Sequence, residues 1–404
     1  MWWGASWGCC YQREGTIITE MVAAELGEEA ISKREGNLSA DEKAIDYSSA
    51  GVDSEKEEIG LKGVRQWLDK TLRFRDGLAG APVMGTKFYA NVLDFGGGLG
   101  LAISTDGVGT KVLVARMMQK YDTVGIDCIA MNVNDILCVG AEPIAFVDYL
   151  AVREIDAKMM EQIAKGLHAG AEIARVSVPG GETAQVPDLL ADDGLPGVPF
   201  DLAGTAVGTV RPDQLISGSD IVPDDVIVAL ASSGIHSNGV TLARRVLFEK
   251  AKLNVDSHVG ELGRTVGEEL LEPTVIYVPQ IMAMLQAGIH IKGLAHITGD
   301  GLLNLARLEA DVGFVIDHLP EPPPIFPLIQ RLGGIEDAEM YRVFNMGIGF
   351  CVVVSEAEVP KLFEVCAKCH MPAEAIGHTT QGFQHEVHIK RKGLVGRGGR
   401  FGKL

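Results

Sequence analysis

The chain has 404 residues, 47% hydrophobic and 22% charged, which is enough for about two domains with their own cores. Its formal net charge of −18 opposes binding to nucleic acids and anionic membranes, although divalent cations can still bridge an acidic chain to a nucleotide. No run reaches the roughly 20 apolar residues of a membrane span, and residues 1–4 lack the basic start of a signal peptide. We therefore expect a cytoplasmic globular protein with no nucleic-acid or membrane partner.

The composition predicts four segments. Residues 1–45 are first Trp- and Gly-rich and then acidic, which is typical of a poorly ordered N-terminal extension. The breaker-rich stretch 211–220 separates an N-terminal domain, 46–214, from a C-terminal α/β domain, 215–389. Residues 390–404 carry six basic residues and five glycines without apolar periodicity, so we expect a basic flexible tail.

Between these ends, short apolar runs alternate with helical patterns. This alternation predicts an α/β fold of the α+β type, with sheets covered by helices. The predicted strands are 145–152, 202–210, 226–231, 312–316 and 349–354. The predicted helices are 123–138, 157–174, 239–251, 273–286 and 356–369.

The first polar cluster follows an apolar run at 99–103. Residues 104–111 combine one carboxylate, hydroxyls, an ammonium group and two glycines that let backbone N–H groups approach an anion. The candidate residues for a metal-bound phosphate are Asp106, Gly107, Gly109, Thr110 and Lys111. An ordinary turn is the alternative, and the stretch is not a Walker A loop.

Further candidates recur along the chain. The helix at 123–138 brings Asp127, Asn134 and Asp135 to neighbouring positions, although a solvated helix face would look the same. Gly181, Glu182 and Thr183 follow a strand-like run and could equally form a capped turn. The loop 232–239 presents Ser233, His236 and Asn238 before a helix, which suits a phosphate or substrate, whereas a structural histidine is the alternative. Asp300 lies in the last such loop, where it could be only an N-cap.

Cys366 and Cys369, followed by His370, match the c-type haem attachment pattern. The same segment has apolar residues at helical spacing, which predicts that both cysteines fill a core instead.

Several loops each combine glycine with an acid and a hydroxyl, which favours Mg²⁺-assisted, ATP-dependent phosphoryl transfer. From about Tyr47 to His388, the ordered motifs resemble the aminoimidazole ribonucleotide synthetases, also called phosphoribosylformylglycinamidine cyclo-ligases. The motifs are STDGVGTK at 104–111, AMNVND at 130–135, GAEP at 140–143, GGETA at 180–184, DLAG at 201–204, SSGIHSNG at 232–239, PTVIYV at 273–278, HITG at 296–299, EMY at 339–341 and FNMG at 344–347.

The resemblance implies a homodimer that pairs its N-terminal sheets, and a C-terminal mixed sheet covered by helices. It also implies conversion of formylglycinamidine ribonucleotide and ATP to aminoimidazole ribonucleotide, ADP and phosphate, in purine biosynthesis. Carried over residue by residue, it assigns catalysis to Lys111, His236 and Glu182, and metal binding to Asp106 and Asp135. The implied nucleotide contacts are Asp106, Gly107, Gly109, Thr110, Lys111, Asp127, Asn134 and Asp135. The implied substrate contacts are Gly181, Glu182, Thr183, Ser233, His236 and Asn238.

One departure from the family pattern adds a candidate. Asp300 stands where the resemblance implies glycine, and ATP-binding relatives such as thiamine-phosphate kinase carry an acidic metal ligand in a comparable loop. We therefore expect Asp300 to join the metal site. A thiamine-phosphate kinase-like phosphotransferase and a non-catalytic nucleotide-binding paralogue remain the alternatives.

Overall fold

A computed structural model describes residues 54–85 and 88–404. The predicted N-terminal extension, 1–45, therefore lies outside the described residues. Helix α1, Ser54–Leu72, opens the described chain and leads through a 3₁₀ turn, Arg73–Arg75, into the first sheet. None of the described helices is long and apolar enough to span a membrane.

The first sheet has six strands. They are β1 Ala81–Pro82, β2 Asn91–Asp94, β3 Gly100–Gly107, β4 Glu142–Val152, β5 Ser177–Gln185 and β6 Phe200–Val210. Their spatial order is β1-β2-β3-β6-β4-β5, and only the β4–β5 pair is parallel. Helices α2 Lys111–Met118, α3 Asp122–Leu137 and α4 Ala157–Ala174 follow β3 and β4.

Helices α3 and α4 pack on each other and cover one face of this sheet. Their backbones approach closely where Gly125 of α3 meets Gly166 of α4. A Cβ on Gly166 would lie 1.9 Å from the Asp122 carbonyl oxygen. Burial alternates along β6, as expected for a sheet with one covered face. On the opposite face Val147 and Tyr149 are exposed, so apolar side chains of β4 face outward.

The second sheet has eight strands. They are β7 Val226–Ala231, β10 Ile291–His296, β11 Gly313–Ile316, β12 Ile348–Val354, β13 Ala373–Thr380, β14 Val387–Ile389, β15 Leu394–Arg397 and β16 Arg400–Lys403. Their order is β10-β12-β7-β13-β11-β14-β15-β16, with only β11 and β14 parallel. The hairpin of β8 His258–Val259 and β9 Arg264–Thr265 stands apart.

Six helices accompany this sheet. They are α5 Val240–Arg244, continued by a π-turn at Arg245–Lys250, α6 Val266–Leu270, α7 Val278–Gln286, α8 Ile325–Gly333, α9 Asp337–Val343 and α10 Val359–Lys368. A 3₁₀ helix at Gly301–Arg307 follows β10. Helices together with mixed sheets confirm the predicted fold class.

Two predictions of local structure are wrong. Helix α7 begins at Val278 rather than at residue 273, because residues 274–277 are bonded to side chains of α3 instead of to their own turn. The basic tail is not flexible: β15 pairs with β14 and β16, and Leu394 and Phe401 are buried. Its basic residues meet acidic partners from elsewhere, as in Lys390–Asp317 at 2.7 Å and Arg397–Glu386 at 2.7 Å.

Candidate functional site

Two carboxylates, Asp106 and Asp135, lie where β3 ends against α3, close enough for the charge of Asp135 to act on Asp106. The backbone N–H of Asp106 donates to Asn132 Oδ1 at 2.8 Å, and Asn132 Nδ2 donates back to the Asp106 carbonyl oxygen at 3.1 Å, which fixes the strand end against the helix. Burial, followed by the charge of Asp135, raises the pKa of Asp106 to about 6. Since the charge of Asp135 disfavours the ionised form of Asp106, the pair is suited to a cation.

The pair fits a magnesium ion that keeps ligands from water or phosphate. Among the residues that the structure describes, no three His, Cys, Asp or Glu side chains form a complete metal cage. Mg²⁺ is usually bound by one or two carboxylates together with substrate phosphates, so two carboxylates suffice. Asp300 is exposed in the turn after β10, and the structure does not bring it to the pair as a third ligand. That part of the predicted metal site is corrected.

His296, at the end of β10, is a site residue to which sequence reasoning assigned no role. Its Nδ1 lies 2.9 Å from Asp135 Oδ1, and its buried ring stacks on Phe350. Ser104 Oγ donates to the other carboxylate oxygen of Asp135 at 3.4 Å. The sequence signal was the position of His296 before a Thr-Gly turn, but a strand 161 residues from Asp135 gives no local sign of their contact.

Lys111 lies inside the protein, whereas the resemblance implied that it contacts the nucleotide. Its side chain is fully buried, and its ammonium group donates to Asp127 Oδ1 at 2.9 Å and to the Glu272 carbonyl oxygen at 2.5 Å. A buried cation needs such a partner, and Asp127 is equally buried. The predicted contact between Lys111 and ATP phosphates is therefore corrected for this structure.

The predicted nucleotide residues on α3 are also engaged elsewhere. Asp127 Oδ1 accepts from both the backbone N–H and the hydroxyl of Thr274 at 2.7 Å. Asn134 Nδ2 donates to the Val275 carbonyl oxygen at 2.8 Å, while its Oδ1 accepts from the Tyr277 N–H at 3.0 Å. Asp127 and Asn134 therefore bind groups of the protein itself. Of the three residues predicted on α3, only Asp135 belongs to the acidic pair.

The loop after β3 lies between Asp106 and α5. The N–H of Gly107 donates to Asp106 Oδ1 at 2.7 Å, and Thr110 Oγ1 lies 2.8 Å from Thr241 Oγ1. Gly109 has φ +70, which is the left-handed region that favours glycine, and a Cβ there would meet open space. The loop therefore keeps an uncrowded backbone beside the acidic pair.

His236 is held as a neutral imidazole in the loop after β7. Its Nε2 accepts from the N–H groups of Ser233 at 3.3 Å and Val275 at 3.4 Å, so the ring carries its proton on Nδ1. Burial, followed by the charges of His296 and Lys111, lowers its pKa well below the usual value. Its φ of +64 is uncommon for a residue with a side chain, and such strain concentrates at functional sites.

The other predicted residues of this loop have separate surroundings. Ser233 Oγ donates to the Pro273 carbonyl oxygen at 2.6 Å, so its hydroxyl proton is used within the protein. Asn238 lies beside the turn after β10, since a Cβ on Gly299 would lie 3.7 Å from its Oδ1. Loop 232–239 and the turn at Gly299 therefore face each other.

The predicted residues on β5 lie apart from this cluster. Gly107, Ala203, Tyr149 and Glu182 form one row across β3, β6, β4 and β5, so Glu182 is about 14 Å across the sheet from Gly107. Glu182 is exposed on this edge strand. Gly181 and Thr183 occupy the neighbouring positions, and Thr183 lines a cavity of about 590 Å³ between β5 and α4. Within one chain, the structure does not place Glu182 beside the acidic pair.

Comparison with known proteins gives two family matches. The profile of the AIR synthase related protein, N-terminal domain, matches residues 89–210, and that of the C-terminal domain matches residues 222–390. The phosphoribosylformylglycinamidine cyclo-ligase of Methanocaldococcus jannaschii is 47% identical over 341 residues, covering 84% of this chain and 93% of the relative. The protein of the same name from Thermococcus gammatolerans is 48% identical, covering 83% of this chain and 96% of the relative.

Solved structures share the fold at lower identity. A thiamine-monophosphate kinase from Stenotrophomonas maltophilia superposes with a TM-score of 0.54 at 20% identity, covering 80% of this chain and 95% of the kinase. T. maritima PurL complexed with FGAR superposes with a TM-score of 0.52 at 19% identity, covering 77% of this chain and 47% of PurL. At these identities the likeness shows the fold alone.

Proposed function

The chain belongs to the phosphoribosylformylglycinamidine cyclo-ligase family of AIR synthase related proteins, and from this premise we propose how its residues serve ring closure. The enzyme uses ATP to convert formylglycinamidine ribonucleotide to aminoimidazole ribonucleotide, ADP and phosphate. We assign the reacting site to the acidic pair of Asp106 and Asp135. This pair lies beside the loop at Gly109, whose backbone is uncrowded.

The reaction needs activation because the formyl oxygen is a poor leaving group. That oxygen attacks the γ-phosphorus of ATP, its bond to phosphorus forms, and the bond to the ADP oxygen breaks. The ring-closing nitrogen then attacks the activated carbon, loses a proton, and expels inorganic phosphate with the former formyl oxygen. Since the bonds change within the substrates, the protein serves mainly to position them and to neutralise charge.

Asp106 and Asp135 are the residues that would hold Mg²⁺. When bound there, the ion supplies positive charge to the phosphate oxygens of ATP. The raised pKa of Asp106 supports this assignment, because a cation between the carboxylates would restore the ionised form. His296 orients Asp135 through the 2.9 Å contact at Nδ1, as residues behind a metal ligand commonly do.

We assign His236 the role of a neutral donor to the substrate, from an Nδ1 atom that is buried in this structure. Its Nε2 is occupied by two backbone N–H groups, whereas its Nδ1 has no hydrogen-bond partner within the described residues. An N–H in this position suits an oxygen or nitrogen atom of the ribonucleotide, with Asn238 on the same loop. We place the ribonucleotide against loop 232–239 and ATP beside the loop 107–110.

One face of the first sheet carries exposed apolar side chains and is not covered by any of the described residues, which supports the proposed homodimer. Val147 and Tyr149 are exposed on this face of β4. Pairing this face with a second copy would bury these side chains. Because Glu182 shares a cross-strand row with Tyr149, its proposed substrate contact would lie near this interface.

Turnover with Mg-ATP tests the proposal. The purified chain is incubated with formylglycinamidine ribonucleotide, and ADP and the aminoimidazole product are measured together. We expect equal amounts of both products and no turnover with thiamine phosphate. ATP consumption with thiamine phosphate, but not with the ribonucleotide, would instead favour the kinase-like alternative.

A further inference from the structure

A short irregular segment joins the two halves of the site. Residues 272–277, here called the bridging segment, lie between α6 and α7 and form no regular helix or strand. Their backbone and side chains contact α3 on one side and loop 232–239 on the other. The segment therefore connects the helix that carries Asp135 to the loop that carries His236.

The α3 side of the bridging segment is fixed by buried polar groups. Lys111 donates to the Glu272 carbonyl oxygen, and Asp127 accepts from the N–H and hydroxyl groups of Thr274. Asn134 binds the Val275 carbonyl oxygen and the Tyr277 N–H. Lys111, Asp127 and Asn134 are all buried, so these bonds are shielded from competing water.

The side of the bridging segment that faces loop 232–239 is fixed by bonds of Pro273, Thr274 and Val275. The Val275 N–H donates to His236 Nε2 at 3.4 Å, and Ser233 Oγ donates to the Pro273 carbonyl oxygen at 2.6 Å. Ser237 Oγ lies 3.2 Å from Thr274 Oγ1. Because the Thr274 hydroxyl donates to Asp127, it accepts from Ser237, and the bonds run in one direction from loop to helix.

We propose that Lys111, Asp127 and Thr274 are positioning residues that fix His236, through the bridging segment, in the tautomer that carries its proton on Nδ1. Val275 supplies one of the two N–H groups that make Nε2 an acceptor, so the tautomer depends on where the segment lies. The left-handed backbone of His236 needs such support, because a strained residue persists only where its surroundings determine it. This proposal rests on the proposed function for its substrate.

Thr274 provides the sharpest test, since its hydroxyl contacts both sides. Thr274→Val removes the hydroxyl at nearly constant shape, and Thr274→Ser retains it. Thr379→Val is the matched control: Thr379 is also buried, and its hydroxyl donates to the Val222 carbonyl oxygen. Thr379 belongs to β13 and contacts the residues just before β7, whereas loop 232–239 follows the end of β7. All three variants are assayed as full chains with steady-state kinetics for both substrates.

We expect Thr274→Val to lower kcat/KM for the ribonucleotide by at least tenfold and to leave the KM for ATP within about twofold of the original value. Thr274→Ser restores most of the loss, and Thr379→Val changes neither constant. A rise confined to the KM for ATP would overturn the proposal, because it would place Lys111 and Asp127 at the nucleotide. If Thr274→Val does not fold, Asn134→Asp, which keeps the shape but loses the donor to Val275, carries the same expectation.

The imidazole of His236 gives a readout independent of turnover. In ¹⁵N-histidine-labelled protein, with His236→Gln to assign the signal, we expect a single Nδ1–H tautomer that becomes mixed in Thr274→Val. An unchanged tautomer in that variant would contradict the positioning role. If the tautomer shifts while the unmodified chain shows no cyclo-ligase turnover, the proposed function fails and the positioning role stands.

Discussion

Asp106 has a raised pKa, which makes its charge a test of the acidic pair. A folded-state pKa of about 6 against 3.8 means that folding disfavours the ionised form, so this group lowers stability as the pH rises from about 4 through 6. The difference corresponds to at most about 3 kcal/mol. We expect Asp106→Asn to raise the Tm of the metal-free protein at pH 7.5, and the gain to vanish as the pH falls toward 4.

Magnesium should act in the opposite direction on the same residue. We expect Mg²⁺ to raise the Tm of the unmodified chain and to have little effect on Asp106→Asn, because the variant lacks one ligand. Asp300→Asn serves as the control, and its Mg²⁺ titration should match that of the unmodified chain. An equal loss of response in both variants would return Asp300 to the metal site.

Motif reasoning proposes candidate residues but does not give their surroundings. The local sequence indicates the chemistry of Asp106, because a carboxylate close to two glycines is recognisable in residues 104–111, whereas Asp135 is a candidate through its place on a predicted helix. Lys111 was misassigned because its partners, Asp127 and the Glu272 carbonyl oxygen, come from other elements, one of them 161 residues away. Burial of a cation depends on such long-range packing, which periodicity does not report.

At the level of elements, the sequence pattern also failed to predict the packing of the C-terminal hairpin of β15 and β16. Its glycines interrupt the apolar pattern of β15 and β16, so the sequence resembled a solvated tail. Gly396 is nevertheless required where the hairpin packs, since a Cβ there would lie 2.2 Å from a methyl group of Leu303. The strands 145–152, 202–210 and 226–231 were predictable because continuous or alternating apolar residues mark them.

The hairpin should therefore contribute to stability. Phe401 is buried, whereas Leu404, three residues later, is 67% exposed. We expect Phe401→Ala to lower the Tm by several degrees, as loss of about 3 kcal/mol of core packing does, and Leu404→Ala to leave it unchanged. Thermal unfolding of both variants is the measurement. Equal Tm values for both variants would show that the tail is unpacked in solution.

Within residues 54–85 and 88–404, one face of the first sheet carries exposed apolar side chains, and this face determines the assembly that we expect. Val147 lies on that face, and two-fold pairing would bring the same residue of the second copy nearby. We expect Val147→Lys to shift the chain from dimer to monomer in sedimentation experiments. Val222→Lys, at a similarly exposed valine that precedes β7 of the second sheet, should remain dimeric. A monomeric unmodified chain would refute the sheet-paired dimer.

Ring closure through a phosphorylated formyl oxygen is the central claim for the molecule as a whole. Substrate carrying ¹⁸O in the formyl oxygen tests it directly, with Mg-ATP as the second substrate and mass spectrometry of the inorganic phosphate formed. The account predicts one ¹⁸O atom in each phosphate for each aminoimidazole ring closed. Unlabelled phosphate, formed while the ring still closes, would contradict it.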